Sequence, residues 1–276
     1  MRARYALLGR PVAHSPAPAM YGAAFRALRV DADYTATSVT ELELPGAIRR
    51  IADGGGGNIT LPHKRRAAAL LDVRTPSVTR SGACNCFWRD RDGSLVGDNT
   101  DIGGFLRSIR KLVKSAGSRL EGSRTLVLGA GGAARAVLIG LDEAGASAAE
   151  VLNRTRLGAE GMLEELSLEA LQARVLGDAA EAVGPYDLVV NATSLGLRAS
   201  DPLPLDLSRL ETTVAFDCVY GREGTAWTRH ARGAGLPAAD GLEMLVEQAR
   251  LSVLDWLGVE PPAGPMREAA RASLAG

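Results

Sequence analysis

One segment of this chain admits few folds: Thr125-Leu-Val-Leu-Gly129-Ala130-Gly131-Gly132-Ala133-Ala134. An apolar strand pattern runs straight into a glycine turn and then into an alanine-rich helical stretch. That order is the phosphate-binding corner of a doubly wound parallel sheet. Gly129 permits the tight turn, Gly131 lets the backbone approach a pyrophosphate, and Ala134 is small enough for helix and strand to pack closely. The first helical turn then offers its free amides and the positive end of its dipole to the phosphates.

The rest of the chain repeats the alternation of strand and helix that builds such sheets. Strands are expected at 125–128, 149–152, 188–190 and 214–216 of the second half. In the first half they are expected at 5–8, 34–38 and 58–61, with helices at 18–28, 44–52 and 65–71. Gly54 to Gly57 reads as a loop into the third strand. Residues 101–115 form an amphipathic helix carrying Ile102, Phe105, Leu106, Ile109, Leu112 and Val113 on one face, suited to connect two halves. After Pro237 the strand pattern stops and helices are expected at 242–257 and 265–274. The expected fold is α/β in two domains. An N-terminal α/β substrate domain, 1–101, is completed by C-terminal helices, 241–276, and a Rossmann-type dinucleotide domain covers 102–240.

Composition narrows the function classes. Lys plus Arg and Asp plus Glu number 32 each, so no net field draws nucleic acid or an anionic membrane. Apolar runs are strand-sized, far below the roughly 20 residues of a membrane span, and the N-terminus lacks a signal-peptide core, which points to the cytoplasm. Cys84, Cys86 and Cys218 make an odd count without metal-ligand spacing, so no disulfide framework and no metal site is expected.

The strand after the glycine turn ends in Asn153-Arg154-Thr155-Arg156, where an NAD site normally carries a carboxylate for the ribose 2′-hydroxyl. A guanidinium and a hydroxyl suit a 2′-phosphate instead, so NADP is expected and NAD is the lesser alternative. Asn191-Ala192-Thr193 ends another buried strand at the carboxyl edge where the dinucleotide of such a fold lies. In the first half, Asn58-Ile-Thr60-Leu-Pro-His-Lys64 puts a lysine just past a strand, and Asp98-Asn-Thr-Asp101 puts a carboxylate at the mouth of the connecting helix. A lysine and an aspartate within reach can move a hydroxyl proton while hydride leaves the same carbon.

With these motifs stand Gly9-Arg-Pro-Val-Ala-His14-Ser15, Gly82-Ala-Cys-Asn85, Asn191 to Gly196, Val219-Tyr220, and Asp240-Gly241 through Met244 to Gln248, all in order. Together they resemble the shikimate dehydrogenase family from end to end. The resemblance implies NADP-dependent interconversion of 3-dehydroshikimate and shikimate in a cleft between a discontinuous substrate domain and a Rossmann domain. It implies Lys64 and Asp101 as the catalytic pair, and Ser15, Asn58, Thr60, Asn85, Tyr220 and Gln248 as the polar lining around a small hydroxyacid. Cofactor contacts are implied for Gly129, Ala130, Gly131, Gly132, Ala133, Asn153, Arg154, Thr155, Asn191, Ala192 and Thr193. Cys218, Gly241 and Met244 fall where the family covers the nicotinamide. His14 and His63 read as structural hydrogen-bonders.

Two positions depart from the family pattern. Its second serine after the histidine is Ala17 here, and the threonine that normally follows Asn85 is Cys86. Loss of one hydrogen bond to a charged group costs about 1.5–3 kcal/mol. Quinate and aminoshikimate are therefore alternative substrates, and a non-catalytic NADPH-binding protein, monomer or homodimer like the enzyme, is the alternative class.

Overall fold

The computed structural model describes residues 2–274. They divide into two compact units, 1–104 with 245–276, and 105–244. The breaks fall three or four residues beyond the positions expected from sequence, inside helices rather than at their ends.

In the first unit, β1 (Ala3–Gly9), α1 (Ala17–Leu28), β2 (Ala32–Ser38), α2 (Leu44–Ala52), β3 (Gly55–Ile59), α3 (Lys64–Ala68), β4 (Val73–Arg74), α4 (Pro76–Ser81), β5 (Cys86–Arg89) and β6 (Leu95–Asp98) precede α5 (Thr100–Ser115). The sheet order is β2-β1-β3-β5-β6-β4, with β5 antiparallel to both neighbours. Its core gathers Leu8, Leu44, Ile48, Ile59 and Phe87, all buried. Two findings differ from the sequence reading. The glycine tract is strand, because β3 is pressed between neighbours: a Cβ on Gly57 would stand 2.4 Å from the Ala6 carbonyl oxygen, and one on Gly56 would stand 2.6 Å from that of Phe87. The short strands β5 and β6, joined by a turn in which the Gly93 amide donates to the Asp90 carbonyl, were not expected at all.

The second unit holds β7 (Arg124–Leu128), α6 (Gly132–Glu143), β8 (Ala148–Leu152), α7 (Arg156–Glu165), β9 (Gln172–Val175), β10 (Pro185–Tyr186), β11 (Leu188–Asn191), β12 (Glu211–Thr212), β13 (Ala215–Asp217), α8 (Ala226–Gly233) and β14 (Ala238–Ala239). The main sheet runs β9-β8-β7-β11-β13-β14, every pair parallel. Numbered within this sheet, with β10 and β12 paired apart from it, this is the 3-2-1-4-5-6 order of the Rossmann fold. The last strand, β14, lies after Pro237, where no strand was expected; two residues are too few to leave a pattern. Mid-strand Glu150 accepts from Arg124 and Arg174, and its other oxygen accepts from the buried Tyr186 hydroxyl, so this carboxylate inside a sheet is fully paired.

The chain re-enters the first unit within α9 (Leu242–Leu257), and α10 (Ala263–Ser273) packs on α1. Trp256 of α9 stacks on Tyr5, with ring centroids 4.5 Å apart. No helix of the described residues is long and apolar enough to cross a membrane.

Candidate active site

The first unit brings Lys64 and Asp101 together. Three backbone bonds fix the frame: Ile59 N–H to the Asn85 carbonyl, Cys84 N–H to the Lys64 carbonyl and Asn85 N–H to the Asp98 carbonyl. These tie the end of β3, the start of α3 and the end of β6 to the segment entering β5. Gly9 allows the loop after β3 to come close, since a Cβ there would lie 2.2 Å from Thr60 Cγ2. Asp101 sits in the first turn of α5, where the helix dipole favours a carboxylate.

Lys64 Nζ donates to Asp101 Oδ2 at 2.5 Å, with the lysine side chain 17% and the aspartate 2% exposed. An ammonium has three donors, so two remain for an oxygen arriving from outside. The second carboxylate oxygen, Oδ1, accepts from Asn85 Nδ2 at 2.8 Å, and the same nitrogen also donates to Gln248 Oε1 at 2.9 Å. Asn85 Oδ1 takes the Thr100 backbone N–H at 2.7 Å and lies 3.1 Å from the Thr100 hydroxyl. Every hydrogen-bonding position of this 1% exposed amide is thus occupied by protein.

Asn58 is occupied in the same way. Its nitrogen donates to the Asn85 carbonyl and to Ser252 Oγ, and its oxygen accepts from the Tyr34 hydroxyl at 2.8 Å. Thr60 is partly exposed in the loop before Lys64. Ser15 is partly exposed before α1, where its oxygen accepts the Ala17 N–H at 3.3 Å and its hydroxyl proton stays available. Ala17 is buried. His63 is buried and bonds the Val39 carbonyl, away from any proton-carrying role. Ser252 and Tyr34 belong to the same network, yet no local motif singled them out; Thr100 joins them from inside the Asp98 to Asp101 motif, where it had no assigned role.

A half-buried carboxyl, Asp255, lies on α9. Asp255 is pushed up to about 7 by burial and by the charge of Asp98, with the Cys86 thiol hydrogen-bonding against that rise. Burial pushes the Cys86 thiol itself well above its usual range.

In the second unit the expected cofactor residues gather at the carboxyl ends of the central strands. Gly129 has φ +105, and a Cβ on it would meet the Ala192 carbonyl oxygen at 2.9 Å, so the β7 turn is glycine by necessity. Gly131 is different: its φ of −89 suits any residue, and a Cβ there would have no atom within 4 Å. No described residue requires glycine at 131, and the open space beside it leaves room for a pyrophosphate. Asn153 donates to the Thr155 carbonyl at the start of α7. Arg156 pairs with Glu160, whereas exposed Arg154 has no ion pair among the described residues. A free guanidinium beside a helix start fits a 2′-phosphate.

At the adjoining strand ends, Asn191 donates to Asp217 Oδ1 and to the Leu195 carbonyl, while its oxygen takes the Thr193 hydroxyl and N–H. Asp217 also accepts from the Val219 N–H and the Thr225 hydroxyl. Burial pushes its carboxyl up to about 6. This residue, which sequence reading passed over, ties loop 192–196 to loop 218–221. Cys218 and Tyr220 are partly exposed on the second loop, and Gly241 is pinned behind it, since a Cβ would lie 2.3 Å from the Cys218 carbonyl oxygen. Met244 is buried in the first turn of α9.

Residues 7–87 match the shikimate dehydrogenase substrate binding domain, 111–198 match shikimate/quinate 5-dehydrogenase, and 241–271 match the shikimate 5′-dehydrogenase C-terminal domain. The shikimate dehydrogenase (NADP(+)) of Rubrobacter xylanophilus is 43% identical over 272 residues, covering 95% of this chain and 93% of that protein. This chain belongs to the shikimate dehydrogenase family. Other members of the family agree in length and shape. The Methylobacterium radiotolerans shikimate dehydrogenase (NADP(+)) is 39% identical, with 98% of this chain and 97% of that protein covered. The crystal structure of the Thermus thermophilus shikimate 5-dehydrogenase, in complex with NADP(H) and shikimate, is 38% identical. It matches with a TM-score of 0.83 over 99% of this chain and all of that one.

Proposed function

We propose that this family member interconverts 3-dehydroshikimate and shikimate with NADP. The observation that carries the reading is the 2.5 Å contact between Lys64 and the buried Asp101 carboxylate, held from its other side by Asn85. NADPH, when bound along Gly129 to Ala133 with Arg154 on its 2′-phosphate, supplies the hydride. The chain's own residues handle the proton. Lys64 places an N–H on the ring ketone oxygen and delivers a proton to it as the carbon is reduced; in the reverse direction the amine takes that proton back. Asp101 fixes the lysine and accepts from a neighbouring ring hydroxyl. Ser15 donates to the substrate carboxylate, while Thr60, Tyr220 and Gln248 complete the polar lining with Asn58 and Asn85 behind it.

Ala17 and Cys86 support a second reading in which the same chemistry runs on quinate or aminoshikimate. The protein acts in the cytoplasm as a monomer or homodimer. Initial rates of NADP⁺ reduction with shikimate, quinate and aminoshikimate, repeated with NAD⁺, test both readings. The proposal expects the fastest turnover with shikimate and NADP⁺. NADPH binding without turnover of any of the three acids contradicts it.

A further inference from the structure

Ser252 lies in α9, four residues after Gln248, with no exposure to solvent. Its oxygen accepts from Asn58 Nδ2 at 2.9 Å and lies 3.2 Å from Thr100 Oγ1 and 3.1 Å from the Gln248 carbonyl oxygen. The direction of each proton follows from the ends of this chain. An amide nitrogen only donates, so Ser252 is the acceptor of Asn58. Asn85 turns its nitrogen to Asp101, so its oxygen must accept, and the Thr100 hydroxyl donates to it. The one Ser252 proton goes to the Gln248 carbonyl, with Thr100 Oγ1 3.2 Å away. Donors lead from Tyr34 through Asn58 to Ser252, and from Thr100 through Asn85 to Asp101, and the two runs meet at the Ser252–Thr100 contact. Every member is buried, where hydrogen bonds strengthen one another and an unmade one is costly.

The geometry points to Ser252 as a positioning residue for the Lys64–Asp101 pair: it holds Asn58 and Thr100 so that Asn85 presents its nitrogen to the carboxylate. This rests on the catalytic reading of that pair. A local substitution explains why a serine stands there. Asn58 pairs across the strands with Cys86, whose thiol is a weak acceptor, at the position where the family pattern has threonine. Ser252 Oγ takes the Asn58 Nδ2 hydrogen at 2.9 Å, so the hydroxyl beside Asn58 comes from α9 instead of from β5.

Steady-state kinetics of Ser252→Ala with shikimate and NADP⁺ test the inference. The expected kcat is about tenfold below wild type, short of the roughly hundredfold that a 1 Å misplacement can cost. The KM for NADP⁺ should stay unchanged. The double variant Ser252→Ala/Cys86→Thr, which returns a hydroxyl beside Asn58, should recover most of the loss. A serine that only fills space would lower the unfolding temperature and leave kcat alone. An unchanged kcat in Ser252→Ala, or no recovery in the double variant, overturns the proposal. Should the wild type itself fail to turn shikimate over, the proposed function falls, and crystal structures decide the positioning role separately. Thr100 and Asn85 side chains displaced in Ser252→Ala support it; side chains that stay within about 0.5 Å of wild type, the tolerance of a catalytic constellation, refute it.

Discussion

Asn85 gives one amide hydrogen to Asp101 at 2.8 Å while its carbonyl oxygen is held by Thr100, so the orientation of the Asp101 carboxylate is set by a neutral side chain fixed at both ends. Asn85→Asp keeps the shape and replaces the donor by a second carboxylate facing Asp101. Like charges at that distance repel, and the Lys64 contact must rearrange. The expected kcat loss is on the order of 10²-fold, larger than for Asn85→Ala, as measured by initial rates at saturating NADP⁺.

The proposed function puts the Arg154 guanidinium on the 2′-phosphate, a group that NADH lacks. Arg154→Ala should weaken NADPH by about 1.5–3 kcal/mol, roughly 10- to 150-fold in dissociation constant, with NADH affinity nearly unchanged. Fluorescence titration of both nucleotides checks the split.

Ala17 removes a hydroxyl from the turn that holds Ser15. Ala17→Ser should lower the KM for shikimate by about tenfold or more, within the 1.5–3 kcal/mol of one hydrogen bond to a carboxylate, and leave the KM for NADP⁺ alone. An unaltered shikimate KM would show that the carboxylate is held elsewhere.

Asp255 carries its folded-state carboxyl at about 7, above the 3.8 of an ordinary aspartate. The folded protein therefore binds this proton more readily than the unfolded chain. Its contribution favours folding at low pH and is lost as pH rises from about 4 through about 7. Asp255→Asn should accordingly raise the unfolding temperature relative to wild type at about pH 8, and the gain should vanish near pH 4. Thermal melts across that range read both ends.

The Rossmann unit was legible because its strands are short apolar runs bounded by glycine and polar turns, with a phosphate-binding turn that has one structural context. The first unit was read less fully. Gly54 to Gly57 reads as a loop because glycines carry no side-chain pattern; Gly55 to Gly57 are strand, and the Phe87 and Ala6 carbonyls are what crowd out a Cβ at 56 and 57. The strand Cys86–Arg89 and its partner are four residues each, joined by the charged turn at Asp90 to Gly93, too short for periodicity to register. Lys64 and Asp101 were findable from their motifs. Ser252 was not, because its partner Asn58 is 194 residues away and the two meet only through the fold.

Lys64 is the residue assigned to the proton of the reacting oxygen. The kcat of Lys64→Ala, measured together with its NADPH affinity, reads that role separately from cofactor binding. The expected kcat is lower by about 10² or more, with NADPH bound as in the wild type. Wild-type turnover in Lys64→Ala overturns the assignment.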